Sequence, residues 1–141
     1  MFEAHDLAGE ARDLAVELVE LGRTYPHTAA WAFPFEFLLA RVALEFEREL
    51  REALDLSPAG PWKALAFVCL DRDFVRAADM WAKGGSPTWE ARLRLRVAEE
   101  LIETGRRAEG EVELAKALAF YRTVGATFYI DRGEALLAKS A

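Results

Sequence analysis

Apolar residues recur along the chain with the period of a helix, and no stretch alternates with the period of two expected of a strand. From Asp6 to Gly22 the residues Leu7, Ala11, Leu14, Leu18 and Leu21 fall on one stripe, and Gly22 is a natural stop. A helix turning that stripe inward is expected. Thr24-Tyr25-Pro26-His27 breaks the pattern. After Pro34 the spacing predicts one long helix with Phe35, Leu38, Leu39, Val42, Phe46, Leu50 and Leu54 inward. Its outer face reads as a ladder of Glu45/Glu49, Glu47/Arg51 and Arg48/Glu52 spacings. Ser57-Pro58-Ala59-Gly60-Pro61 punctuates the chain, and the main internal boundary is expected there.

Shorter elements follow. Pro61–Leu70 and Asp73–Lys83 read as a helical pair hinged at Asp71-Arg72, closed by Gly84-Gly85-Ser86-Pro87 with Ser86 or Thr88 as the N-cap. Thr88–Thr104 and Arg106–Thr123 read as the next pair, hinged at Gly105, and Gly125 separates a last helix over Thr127–Lys139. Seven helices joined by short turns imply antiparallel neighbours.

The pairs repeat. A displacement of 33 residues lays Leu65 on Ala98, Val68 on Leu101, Ala77 on Gly110, Trp81 on Leu114 and the hinge residue Arg72 on Gly105. A displacement of 83 lays the Leu14–Arg23 run on Val97–Arg106. Three divergent copies of one helical hairpin are expected, with small residues at Ala98 and Gly110 drawing two helices together.

These residues make the chain similar to a tetratricopeptide-type array. Over Ala91–Val124 the motif positions read Val97, Ala98, Leu101, Gly105, Gly110, Leu114 and Ala117, and over Pro58–Gly84 they read Leu65, Val68, Ala77 and Trp81. The motif's early Trp is replaced by Arg94 and its closing Pro by Arg122, and the first copy carries an insertion over Thr24–Pro34. The resemblance implies an all-α fold over 1–141, its antiparallel hairpins stacked as a short right-handed solenoid. Within it 1–56 is a divergent long hairpin, 61–124 two better-matched hairpins, and 127–139 a capping helix. The run Glu113–Thr127, continuing into Glu134–Ala138, also resembles the C-terminal tails of large bacterial signalling ATPases of the nucleotide-cyclase and transcription-regulator type. No GxxxxGK[ST] phosphate loop accompanies it.

Composition then narrows the chemistry. With 18 Lys and Arg against 24 Asp and Glu the net charge is −6, which disfavours nucleic acid as a partner. No apolar run approaches the roughly 20 residues of a membrane span, and the acidic start Met1–Asp6 is unlike a secretion signal, so a cytoplasmic location is expected. Asn and Gln are both missing, as in heat-adapted proteins or under genomic composition bias. His5, His27 and the single Cys69 lack the companions of a metal or nucleophile site. The carboxylates sit beside arginines at helical spacing, as on a solvated face. No enzyme, metal or cofactor is expected.

The expectation is a protein–protein interaction module at the regulatory or scaffold end of a bacterial signalling protein. In tetratricopeptide arrays the first helix of each hairpin lines a groove, which the resemblance carries over to Arg92, Leu95, Arg96, Glu99 and Glu103 in one copy and to Trp62, Lys63 and Ala66 in the copy before it. Arg92 and Arg96 lie one turn apart, suited to holding a carboxylate or phosphate; alternatively Arg96 pairs with Glu100 along its own helix. The family's peptide-carboxylate clamp uses Asn, which this chain lacks. Trp31 and Phe33 either cap the first hairpin or anchor a partner. Two other functions fit the same sequence: a sensor of a small acidic metabolite near Arg92, Arg96 and Trp62, and a homodimerisation module.

Overall fold

A computed structural model describes residues 4–25 and 35–139, and every regular element among them is helical. In order these are α1 (Ala4–Thr24), α2 (Phe35–Leu39), a 3₁₀ segment (Arg41–Phe46), α3 (Glu47–Asp55), α4 (Pro61–Leu70), α5 (Phe74–Lys83), α6 (Pro87–Glu103), α7 (Arg107–Val124) and α8 (Thr127–Ala138). The chain divides into two compact units, Met1–Arg72 and Asp73–Ala141. The division falls inside the helical pair expected over 61–83, beyond the Ser57–Pro61 run.

The second unit follows its punctuation. Gly85, Gly105 and Gly125 have φ of 75°, 84° and 67°, a left-handed conformation that costs glycine little. Each is followed by a residue whose N–H reaches back to close the finished helix. Ser86 N–H donates to the Trp81 carbonyl at 3.0 Å, Arg106 to Leu101 at 2.8 Å and Ala126 to Tyr121 at 3.0 Å. Pro87 then opens α6 with a ring that gives up no needed donor. Ser86 holds the N-cap position of α6, although its side chain makes no capping bond. The helices pack in chain order, α5 on α6, α6 on α7 and α7 on α8.

Close approach depends on small residues. A Cβ on Gly110 would lie 2.8 Å from Ile102 Cγ1 and 3.1 Å from the Ala98 carbonyl oxygen, so α6 and α7 meet at the expected Ala98/Gly110 pair. Gly133 serves α8 in the same way, since a Cβ there would lie 2.7 Å from Leu118 Cδ2. Around these contacts Leu95, Leu114, Ala117, Leu118 and Tyr121 form a buried cluster, with Tyr129 stacked on Tyr121 at 4.7 Å between ring centroids. Trp81, expected in the core, is half-buried and stacks on Trp89 at 6.1 Å.

The first unit departs from its periodicity in two places. The long helix expected after Pro34 is broken: Ala40 is extended (φ −72°, ψ 146°), and the chain resumes as the 3₁₀ segment before α3. The break frees helix-end carbonyls, and Arg72 Nη1 donates to that of Leu39 at 3.1 Å. Arg72 itself adopts φ 61°, the left-handed joint that its repeat partner Gly105 takes without strain. Leu38, Leu39, Leu50 and Leu54 are buried as expected, whereas Val42 and Phe46 are half-buried.

The second departure is the face α1 presents to its own unit. Among the described side chains of α1, which do not include Leu7, the buried residues are Ala15, Val19 and Gly22, packed toward α3 and the 3₁₀ segment, while Ala11, Leu14 and Leu21 of the expected inward stripe stay exposed. Small side chains let the helix axis approach closely, which places the larger leucines on the helix's shoulder.

Two glycine-to-alanine changes should therefore have opposite signs. Gly110→Ala should lower stability by about 1–2 kcal/mol, because crowding backbone outweighs the ~1 kcal/mol of helix propensity gained. Gly9→Ala, with nothing within 4 Å of the new Cβ, should raise it by about 0.5–1 kcal/mol. Urea melts of both variants check the pair.

Candidate interaction surface

One helix in the first unit carries two apolar faces. On α1, Ala15 and Val19 are only 1% and 4% exposed, and they lie at the i, i+4 spacing of one helical face with Gly22 one turn on. Leu14, Leu18 and Leu21 form the neighbouring stripe, continued by Tyr25 just past the helix end; Leu14 is 60% exposed, Leu21 52% and Tyr25 60%, and Leu18 is half-buried. Fully burying one such leucine contributes roughly 1.5–3 kcal/mol, and among the helix's described side chains Leu14 and Leu21 leave that contribution unused within the unit. Beyond the stripe, on the side away from Ala15, stand the exposed carboxylates Glu10, Asp13, Glu17 and Glu20. Arg12 is drawn toward the 3₁₀ segment by Glu45 at 2.9 Å.

The residues expected to line a groove fall in both units. Trp62, Lys63 and Ala66 belong to α4 of the first. Trp62 is 36% exposed and Ala66 is buried, whereas the Lys63 ammonium donates to the carbonyls of Asp55 at 3.0 Å and Ser57 at 2.9 Å. Lys63 thus ties down the Ser57–Gly60 turn. The other five lie on α6. Leu95 is fully buried in the core beside Leu114 and Ala117, so its side chain offers nothing to a partner. Arg92 is half-buried and Glu103 exposed.

Arg96 is already engaged. Its guanidinium lies 3.1 Å from Glu100 and 3.6 Å from Glu99, so the pairing along its own helix is present. Glu99 is itself buried and receives Arg132 Nε from α8 at 2.6 Å. Nothing in the sequence linked Glu99 to Arg132, which lie 33 positions apart. An acidic metabolite at Arg92 and Arg96 would have to displace these carboxylates. Trp31, Phe33 and His27 lie outside the described residues.

A buried cation sits at the centre of the second unit's charged contacts: Arg94 on α6. It is 7% exposed, and three carboxylates on three helices meet it: Asp79 Oδ1 of α5 at 2.9 Å, Glu90 Oε1 of α6 at 3.0 Å and Glu113 Oε2 of α7 at 2.9 Å. Burial opposes its charge, but the hydrogen bonds it donates to Asp79, Glu113 and Glu90 outweigh it and raise its pKa. Burial likewise works against ionised Glu113, yet hydrogen bonds from Lys116 and Arg94 hold its carboxyl below the usual range. Cys69, in the first unit, shows the opposite balance: burial pushes its thiol up to about 12, so it stays protonated at neutral pH.

No group of three or more His, Cys, Asp and Glu among the described residues is placed to hold a metal ion. No helix there is long and apolar enough to cross a membrane. No protein-family model matches the chain, and no curated protein or solved structure matches it either.

The charges on Arg94 and Glu113 give a pH signature. Arg94→Met should cost about 2 kcal/mol at neutral pH, less than the ~3–5 kcal/mol of a fully buried pair because Asp79 is more than half exposed. Glu113 is depressed in the folded state, so its contribution is present above about pH 4.5 and is lost as pH falls through its lower folded value. The stability gap between wild type and Arg94→Met should therefore narrow below about pH 4.5, as followed by denaturant melts from pH 7 to pH 3.

Proposed function

We propose that this chain is a non-enzymatic protein–protein interaction module, working at the regulatory or scaffold end of a bacterial signalling or transcription-regulator protein. The observation that carries the proposal is the two-faced α1, which packs its small residues inward and presents Leu14 and Leu21 to solvent. A contiguous apolar stripe on a folded helix is the kind of surface that binds another protein. The similarity of the Glu113–Thr127 run to the tails of signalling ATPases supports the setting. The ion pairs already made by Arg96 weigh against the acidic-metabolite alternative.

Stability separates a docking face from a core face. The double variant Leu14→Gln/Leu21→Gln should melt within about 0.5 kcal/mol per site of wild type, as surface changes do. It should also lose the binding of an apolar reporter dye that the folded wild-type chain retains. A loss of about 2–5 kcal/mol per leucine would mean that these residues are core and would end the proposal.

A further inference from the structure

We infer that the Leu14–Leu18–Leu21–Tyr25 face docks an amphipathic helix of a partner protein, one whose apolar stripe is bordered by lysine and arginine. The inference rests on the interaction reading above and names the partner's chemistry.

The shape of the occupant follows from spacing. Leu14, Leu18, Leu21 and Tyr25 step by four, three and four residues, the alternation that keeps a seam facing a second helix. At 1.5 Å per residue the seam runs about 17 Å, three turns of a partner helix. An extended strand would match neither the spacing nor the direction of the three leucines, which share one helix face.

The charge of the occupant follows from the border. At about 100° of rotation per residue, Glu10 lies one turn before Leu14 and Glu17 one turn before Leu21, both to the same side, with Asp13 and Glu20 just beyond. All four are exposed. Glu20 lies 3.8 Å from Arg23, whereas Glu10, Asp13 and Glu17 make no ion pair among the described residues. The opposite border is Ala15 and Gly22, already covered by the unit's own packing. A helix laid on the seam therefore meets carboxylates along its one open edge, and cations there are the complement.

The same layout disfavours a second copy of this chain. An antiparallel pairing of two α1 helices would set the Glu10/Glu17 ridge against itself. A parallel pairing would direct it at Ala15 and Gly22, which face α3 and the 3₁₀ segment.

Two synthetic helical peptides of about three heptads test the inference on the full chain. Both carry leucine along the seam; one has lysine at the flanking positions, the other glutamate. The lysine peptide should bind at least tenfold more tightly at low salt, with the preference shrinking as salt is added. Glu10→Lys/Glu17→Lys should reverse the preference, and Leu14→Gln/Leu21→Gln should lose both peptides with an unchanged circular-dichroism melt. Equal binding of the two peptides, or a preference untouched by the charge reversal, would overturn the basic partner while leaving the docking face. Failure of both peptides, with a dimer in light scattering that Leu14→Gln/Leu21→Gln disperses, would assign the face to self-association and overturn the inference but not the interaction reading. Failure of both with a monomeric chain would overturn the two together.

Discussion

A guanidinium cannot shed its charge to escape a buried site, so the surroundings must supply the anions. Arg94 imposes that condition on the second unit. Its three carboxylate partners come from α5, α6 and α7, and the planar fork of N–H groups donates to them only along fixed directions. Shifting one helix along its axis by a turn would leave a carboxylate behind and a buried charge exposed to an apolar wall. Desolvation offsets much of the Coulombic gain in such networks, so their contribution is to register as much as to stability. The close contact at Gly110 and the cluster around Leu114 are consistent with that register.

The two units solve the problem of ending a helix differently. In the second, left-handed glycines and a proline at the first turn make each stop cheap and local. In the first, Ala40 interrupts a helix without any residue suited to the job, and the side chain of Arg72 is brought in from 33 positions away to satisfy the carbonyl of Leu39. Arg72 meanwhile holds a backbone conformation that disfavours a side chain. The first unit thus relies on a long-range contact where the second relies on composition.

That contrast sets what could be read from the sequence. Helices α4 to α8 were legible to within one or two residues at their ends, because Gly and Pro mark positions where backbone geometry is forced. The Ala98/Gly110 approach was legible because small residues at repeat-matched positions have few other uses. The break at Ala40 was not, since Phe35 to Leu54 keeps its apolar period across it. On α1 the larger leucines outweighed Ala15, Val19 and Gly22 in the periodicity, although the helix carried both stripes, and that coexistence was the available signal. At the expected groove, the Arg96–Glu100 pair follows from spacing along one helix, whereas Arg132 reaches Glu99 only through the packing of α8. Leu95 shares a helix face with charged residues in the pattern and is nonetheless core, because α7 covers it.

The small face of α1 has a consequence in time. Among the described side chains, what holds this helix to its unit is little more than a methyl, an isopropyl and part of Leu18, on the order of a few kcal/mol of burial, together with the peripheral Arg12–Glu45 pair. That is less than a typical domain's global stability of roughly 5–15 kcal/mol, and segments held by few buried apolar contacts are the ones that open locally before a domain unfolds. By its described side chains the helix is attached to its own unit much as a ligand is attached to a receptor, by one narrow face. Whatever grips its broad face gains a handle on how often the narrow one lets go.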